Sequence, residues 1–131
     1  MTPDEKKQVV RDVIAAIDAQ DMPTLQAHPG LHETIVHMPH LWASLANLSS
    51  VIDHITVEDD MVATVVSVTG AHVGSFVGEP PSGQEITFLV VGMDRVEDGK
   101  ITLHYAVPDV FPFLTIARAA STRRARLSPS Q

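Results

Sequence analysis

Residues 85–107, EITFLVVGMDRVEDGKITLHYAV, read as two long strands joined by a tight turn. Val, Ile, Leu and Thr dominate 85–96 and 100–107, and Glu97-Asp98-Gly99 between them has the acidic-glycine chemistry of a hairpin. Just upstream, Met61–His72 reads as a third long strand, rich in Val and Thr. Glu58-Asp59-Asp60 turns it back onto a short strand over 51–57. A loop over 74–83, containing Glu79-Pro80-Pro81-Ser82-Gly83, leads into residue 85, and Pro108 ends the last strand. An antiparallel meander therefore occupies the second half of the chain.

Toward the N-terminus the apolar period lengthens. Residues 2–20 form a helix, with Thr2 and Glu5 spaced as a capping box and Pro3 at the first helical position. Val9, Val10, Val13, Ile14 and Ile17 give it one buried face. Asp21-Met22-Pro23 stops that helix and opens a short one to about Ala27, and His28-Pro29-Gly30 breaks the chain again. Over 39–48, Leu41, Leu45 and Leu48 make a third helical stripe with Trp42 beside it. Residues 110–120 are expected to form a short packed segment and 121–131 a mobile tail. The fold class is α+β: one domain over 1–120, with three N-terminal helices packed against a curved antiparallel sheet.

Composition narrows the function. The chain has 131 residues, 44% hydrophobic and 19% charged, which is ordinary for a globular domain with a real core. Nine Lys and Arg against sixteen Asp and Glu give a net charge of −7. That balance repels phosphate backbones and anionic lipid, so neither nucleic acid nor membrane is an expected partner. No apolar run is long enough to span a bilayer, and the polar N-terminus is unlike a signal peptide, so a cytoplasmic protein is expected. The absence of cysteine excludes disulfides, thiolate metal sites and a Cys nucleophile.

The stretch 62–109 resembles the SnoaL-like polyketide cyclases, within the nuclear-transport-factor-2-like superfamily. Val68-Thr69-Gly70-Ala71-His72-Val73-Gly74-Ser75-Phe76 carries the likeness, followed by Gly78-Glu79-Pro80-Pro81-Ser82-Gly83, Arg95-Val96-Glu97-Asp98-Gly99-Lys100-Ile101, His104-Tyr105 and Asp109. The resemblance implies a cone-shaped α+β barrel with a deep apolar pocket, a homodimer formed through the sheet, and ring closure without metal or organic cofactor. It also implies an Asp and a His at positions occupied here by Ala106 and Gly92. The Asp–Arg–Asp set of the related limonene epoxide hydrolases is likewise missing from 65–68 and from Ala106.

Strand alternation suggests what replaces them. If Ala106 faces the pocket, so do His104 and Thr102; if Gly92 does, so do Asp94, Val90 and Phe88. On the preceding strand Val62, Thr64, Val66, Val68 and His72 form the inner set. The candidate catalytic residues are His104, Asp94, Asp109 and His40. The candidate substrate-binding residues are Trp42, His72, Phe88, Val90, Gly92, Ala106 and Val66. Each polar candidate also has a structural reading: His104 as a bonded strand histidine, Asp94 as a hairpin charge, Asp109 as a turn cap, His72 as a strand end. His28, His32, His37 and His40 fall within thirteen residues, but Pro29-Gly30 and Pro39 break their register, so no metal site is expected. That segment is expected to lid the pocket, with His40 reaching in. Gly70, Gly74, Gly78 and Gly83 lack the strand–loop–helix context and the Lys of a phosphate cradle.

These readings point to a cofactor-free cyclase or isomerase acting on an apolar, oxygenated, polyketide-like small molecule. The alternatives are an epoxide-opening enzyme and a non-catalytic ligand-binding module of the same fold.

Overall fold

The computed structural model describes residues 1–127. Helix α1 (Pro3–Asp18) is followed by α2 (Met22–Gln26), two 3-10 turns (Pro29–Leu31 and Thr34–His37) and α3 (Met38–Ser44). Four strands follow, β1 (Leu45–Glu58), β2 (Met61–His72), β3 (Glu85–Glu97) and β4 (Lys100–Asp109), and then helix α4 (Phe111–Leu127). The strands form one antiparallel sheet in the order β1-β2-β3-β4, curved and open, so the expected barrel is not closed.

Local chemistry fixes the element ends. The Thr2 hydroxyl accepts from the Glu5 N–H while Glu5 Oε1 accepts from the Thr2 N–H, so the capping box at the start of α1 is complete. The Thr2 N–H, with the Thr2 hydroxyl beside it, holds the Glu5 carboxyl below its ordinary pKa. The β3–β4 turn is the two-residue Asp98-Gly99, both with positive φ, as the right-handed strand twist favours. Val10, Val13 and Ala16 of α1, with Leu25, Leu31 and Met38, pack onto Val62, Val96 and Ile101 of the sheet. A second cluster joins Leu45, Phe76 and Phe88, with Phe113 of α4 against it.

Three boundaries differ from the sequence reading. The third helix stops at Ser44, and Leu45–Ser50 begin β1 instead. The cause is a bulge between Ala46 and Ser49, centred on Asn47 at φ 55°, which turns Leu45 and Leu48 to the same face and so imitates helical spacing. Strand β4 runs through Pro108 to Asp109, which an edge strand tolerates because one side of its ladder is unpaired. Finally, α4 continues through 121–127, residues assigned above to the tail; 128–131 lie outside the described residues.

A further bulge organises β4. Val96 pairs with Ile101 but Arg95 pairs with Leu103, leaving Thr102 as the extra residue. Thr102 therefore points outward, donating its hydroxyl to Glu97 Oε1 at 2.7 Å, and is not on the inner face where alternation placed it. The buried His28 ring accepts from the Ile101 N–H through Nδ1 at 3.0 Å. A proton on Nδ1 would set donor against donor. Burial, aided by Lys100 and opposed by Asp94, holds the His28 pKa below its ordinary value.

The unfolded chain takes up a proton near pH 6.5 that the native chain resists. His28 therefore contributes stability above that pH, and the contribution is lost as the pH falls below it. His28→Asn keeps an acceptor and removes the titration. The melting temperature of the wild type should accordingly drop more steeply than that of His28→Asn between pH 7 and 5. Parallel slopes would contradict the assignment. His28→Leu leaves the Ile101 N–H buried without an acceptor and should cost about 1–3 kcal/mol.

Candidate active site

Between α1, α3 and the inner face of the sheet lies a cavity of about 280 Å³. Its walls are chiefly Val, Ile, Leu, Met and Phe side chains, the apolar lining typical of small-molecule sites. Strand alternation delivers Val66 from β2, Phe88, Val90, Gly92 and Asp94 from β3, and His104 and Ala106 from β4. These seven expected residues share one cavity. Gly92 and Ala106 are direct cross-strand partners, so the sheet floor is low where they meet.

One row along, Asp94 stands opposite His104, and His104 Nδ1 lies 2.5 Å from Asp94 Oδ1. Asp94 is 4% exposed, and the His104 side chain 13%. A carboxylate only accepts, so the ring donates through Nδ1–H, which in a neutral ring makes Nε2 the acceptor. The pair owes its existence to the Thr102 bulge. A regular hairpin from the Glu97–Lys100 pair would set Asp94 opposite Leu103 and turn His104 to the other face.

The remaining candidates lie elsewhere. His40 is exposed on α3 and does not line the cavity; Thr34 and Met38 are what its segment contributes. Trp42 is not a cavity wall, because its Nε1–H donates to the Ile17 carbonyl at 2.9 Å and ties α3 to the end of α1. Asp109 points outward and accepts from the Phe111 N–H at 3.3 Å, the turn-cap reading of that residue. His72 is buried beneath the 79–84 loop. The Ser82 N–H and hydroxyl meet its Nδ1, its Nε2–H donates to the Glu79 carbonyl at 3.3 Å, and Phe113 packs edge-on at 5.3 Å. It lines a separate cleft of about 360 Å³ under α4. Among the described residues no three His, Asp or Glu side chains are gathered as a metal ion would require.

The sequence reading missed Asp18 and Ser50, and named Thr64 only as part of an inner face. Asp18 sits in the last turn of α1, where the helix dipole disfavours an acid, and that misplaced charge was the available signal. Ser50 holds it there, its N–H and hydroxyl each donating to a carboxylate oxygen at 2.8 Å. Asp18, Asp94 and His104 are the ionisable side chains on the wall; Lys and Arg are absent from it among the described residues.

This architecture, helices over a curved antiparallel sheet with an apolar cavity between them, is an α+β cone. The SnoaL-like polyketide cyclase family matches residues 5–115, and the chain belongs to that family. AclR from Streptomyces galilaeus superposes with a TM-score of 0.80 at 24% identity, covering 90% of this chain and 98% of that one. IdmH from Streptomyces antibioticus gives 0.73 at 21% identity, covering 84% and 96%. An LEH-like epoxide hydrolase from M. tuberculosis gives 0.67 at 17% identity, covering 96% and 98%. At these identities the likeness is one of fold. No curated protein sequence matches the chain.

Proposed function

We propose that this protein is a cofactor-independent cyclase or isomerase whose base is His104, oriented by Asp94, acting on a neutral, oxygenated, largely apolar molecule of specialised, polyketide-like metabolism. The hydrogen-bonded Asp94–His104 pair inside an apolar cavity carries this reading. His104 Nε2 takes the proton from a carbon next to a carbonyl, and the C–H electrons pass into the enolate. The enolate carbon attacks a second carbonyl of the same substrate or is reprotonated, and Nε2–H returns the proton to the new alkoxide or to carbon. Asp94 supplies the counter-charge while the ring carries the proton. Two wall carboxylates, with no Lys or Arg facing them among the described residues, disfavour an anionic substrate.

The test uses 2-tetralone, a neutral bicyclic ketone, in deuterated buffer. The protein should speed exchange of its α-protons above the buffer rate, and EDTA should leave that rate unchanged. Exchange no faster than buffer would contradict the proposal and favour the non-catalytic module.

A homodimer formed through the outer face of the sheet is part of the same proposal. Leu89, Val91, Met93, Tyr105 and Val107 expose apolar surface there, Val107 at 67%. Such a contiguous face is characteristic of an interface. Light scattering should give twice the chain mass, falling to one chain mass on Val107→Glu, while a monomeric wild type would refute it.

A further inference from the structure

We propose that the Thr64 hydroxyl is the hydrogen-bond donor that receives the carbonyl oxygen of the substrate. This rests on the cavity being the site. Thr64 is 5% exposed and lines the cavity, and none of the side-chain hydrogen bonds found among the described residues uses its hydroxyl. Its cross-strand partner is Gly92, and Gly92 in turn faces Ala106. A Cβ at position 92 would come within 2.7 Å of Thr64 Oγ1, so the hydroxyl leans over the glycine into the floor of the cavity. Any side chain at 92 would displace it, because a β-branched residue has few χ1 wells to retreat to.

The position is suited to work with His104. Val62, Asp94 and His104 form the adjacent row on the same face, so Thr64 is the diagonal neighbour of Asp94, at the spacing of about 7–8 Å or somewhat less usual for such pairs. Between the hydroxyl and the imidazole lies the low floor of Gly92 and Ala106. A carbonyl bound there takes a hydrogen bond on oxygen from Thr64 while His104 faces the adjacent carbon. As that carbon loses its proton, charge grows on the oxygen, where a fixed donor is most effective. The glycine thus keeps the oxygen site open.

Binding of two matched probes, 2-tetralone and the hydrocarbon tetralin, tests the hydroxyl separately from the cavity. Amide chemical-shift titrations of Thr64→Val should show the ketone weakened about 5-fold, the scale of one hydrogen bond, with tetralin unchanged. Thr64→Ser should retain ketone affinity. Gly92→Ala, which crowds the hydroxyl while leaving Thr64 in place, should weaken the ketone more than tetralin. Unchanged ketone affinity in Thr64→Val, or equal weakening of both probes, would overturn the assignment of the hydroxyl alone. A wild type that binds neither probe would overturn the cavity itself as the site, and this proposal with it.

Discussion

Asp94→Asn is expected to lower the rate of 2-tetralone exchange by about 10²-fold or more, the usual scale for losing a positioned acid–base group. An Asn amide can donate to His104 Nδ1, which moves the ring proton to Nε2 and removes the base while leaving the side chains in place. His104→Ala should fall as far, and the double variant scarcely further, since the two act as one unit. His40→Ala and Asp109→Asn should retain the wild-type rate, because the first is exposed on α3 and the second caps the turn into α4. Wild-type exchange in both Asp94→Asn and His104→Ala would mean that another group on the wall, such as Asp18, takes the proton, and would overturn this assignment.

Gly30→Ala is expected to destabilise the fold by about 3 kcal/mol, at the upper end for overpacking. An added Cβ would lie 2.6 Å from both Leu103 N and Thr102 C, backbone atoms with no side-chain freedom to yield. These atoms belong to the bulge that turns His104 inward, so exchange activity should fall with stability. Gly78 and Gly83 serve as controls. A Cβ at either would meet nothing within 4 Å, and their positive φ alone carries the smaller cost of a left-handed residue, about 1–2 kcal/mol. A melting temperature for Gly30→Ala no lower than that for Gly78→Ala would contradict this packing.

Much of the fold was legible because it rests on local patterns. The Thr2–Glu5 box, the Asp98-Gly99 turn and the β-branched, Val- and Thr-rich runs of β2 and β3 each specify their element within a few residues. Alternation also placed Val66, Phe88, Val90, Gly92 and Asp94 on the cavity wall. The failures lie where one extra residue breaks the period of two. The Asn47 bulge gave Leu45 and Leu48 a helical spacing, and the Thr102 bulge reversed Thr102. His104 and Ala106 were placed correctly because they were read from Ala106 backward, on the far side of that bulge. Trp42, His72 and His40 lie off this cavity's wall for another reason. What each side chain meets depends on contacts distant in sequence or on solvent exposure, such as the Ile17 carbonyl for Trp42, and no spacing encodes those. The joining of Asp94 to His104 was similarly hidden, although each was named.

The orientation of the His104 proton tests the central claim most directly. In a long-range nitrogen–proton correlation spectrum of uniformly labelled protein at neutral pH, His104 should appear as the Nδ1–H tautomer. Its Nε2 resonance should shift when 2-tetralone is added and should take up the proton in Asp94→Asn. An Nε2–H tautomer in the wild type, or an Nε2 resonance unmoved by the ketone, would contradict the account.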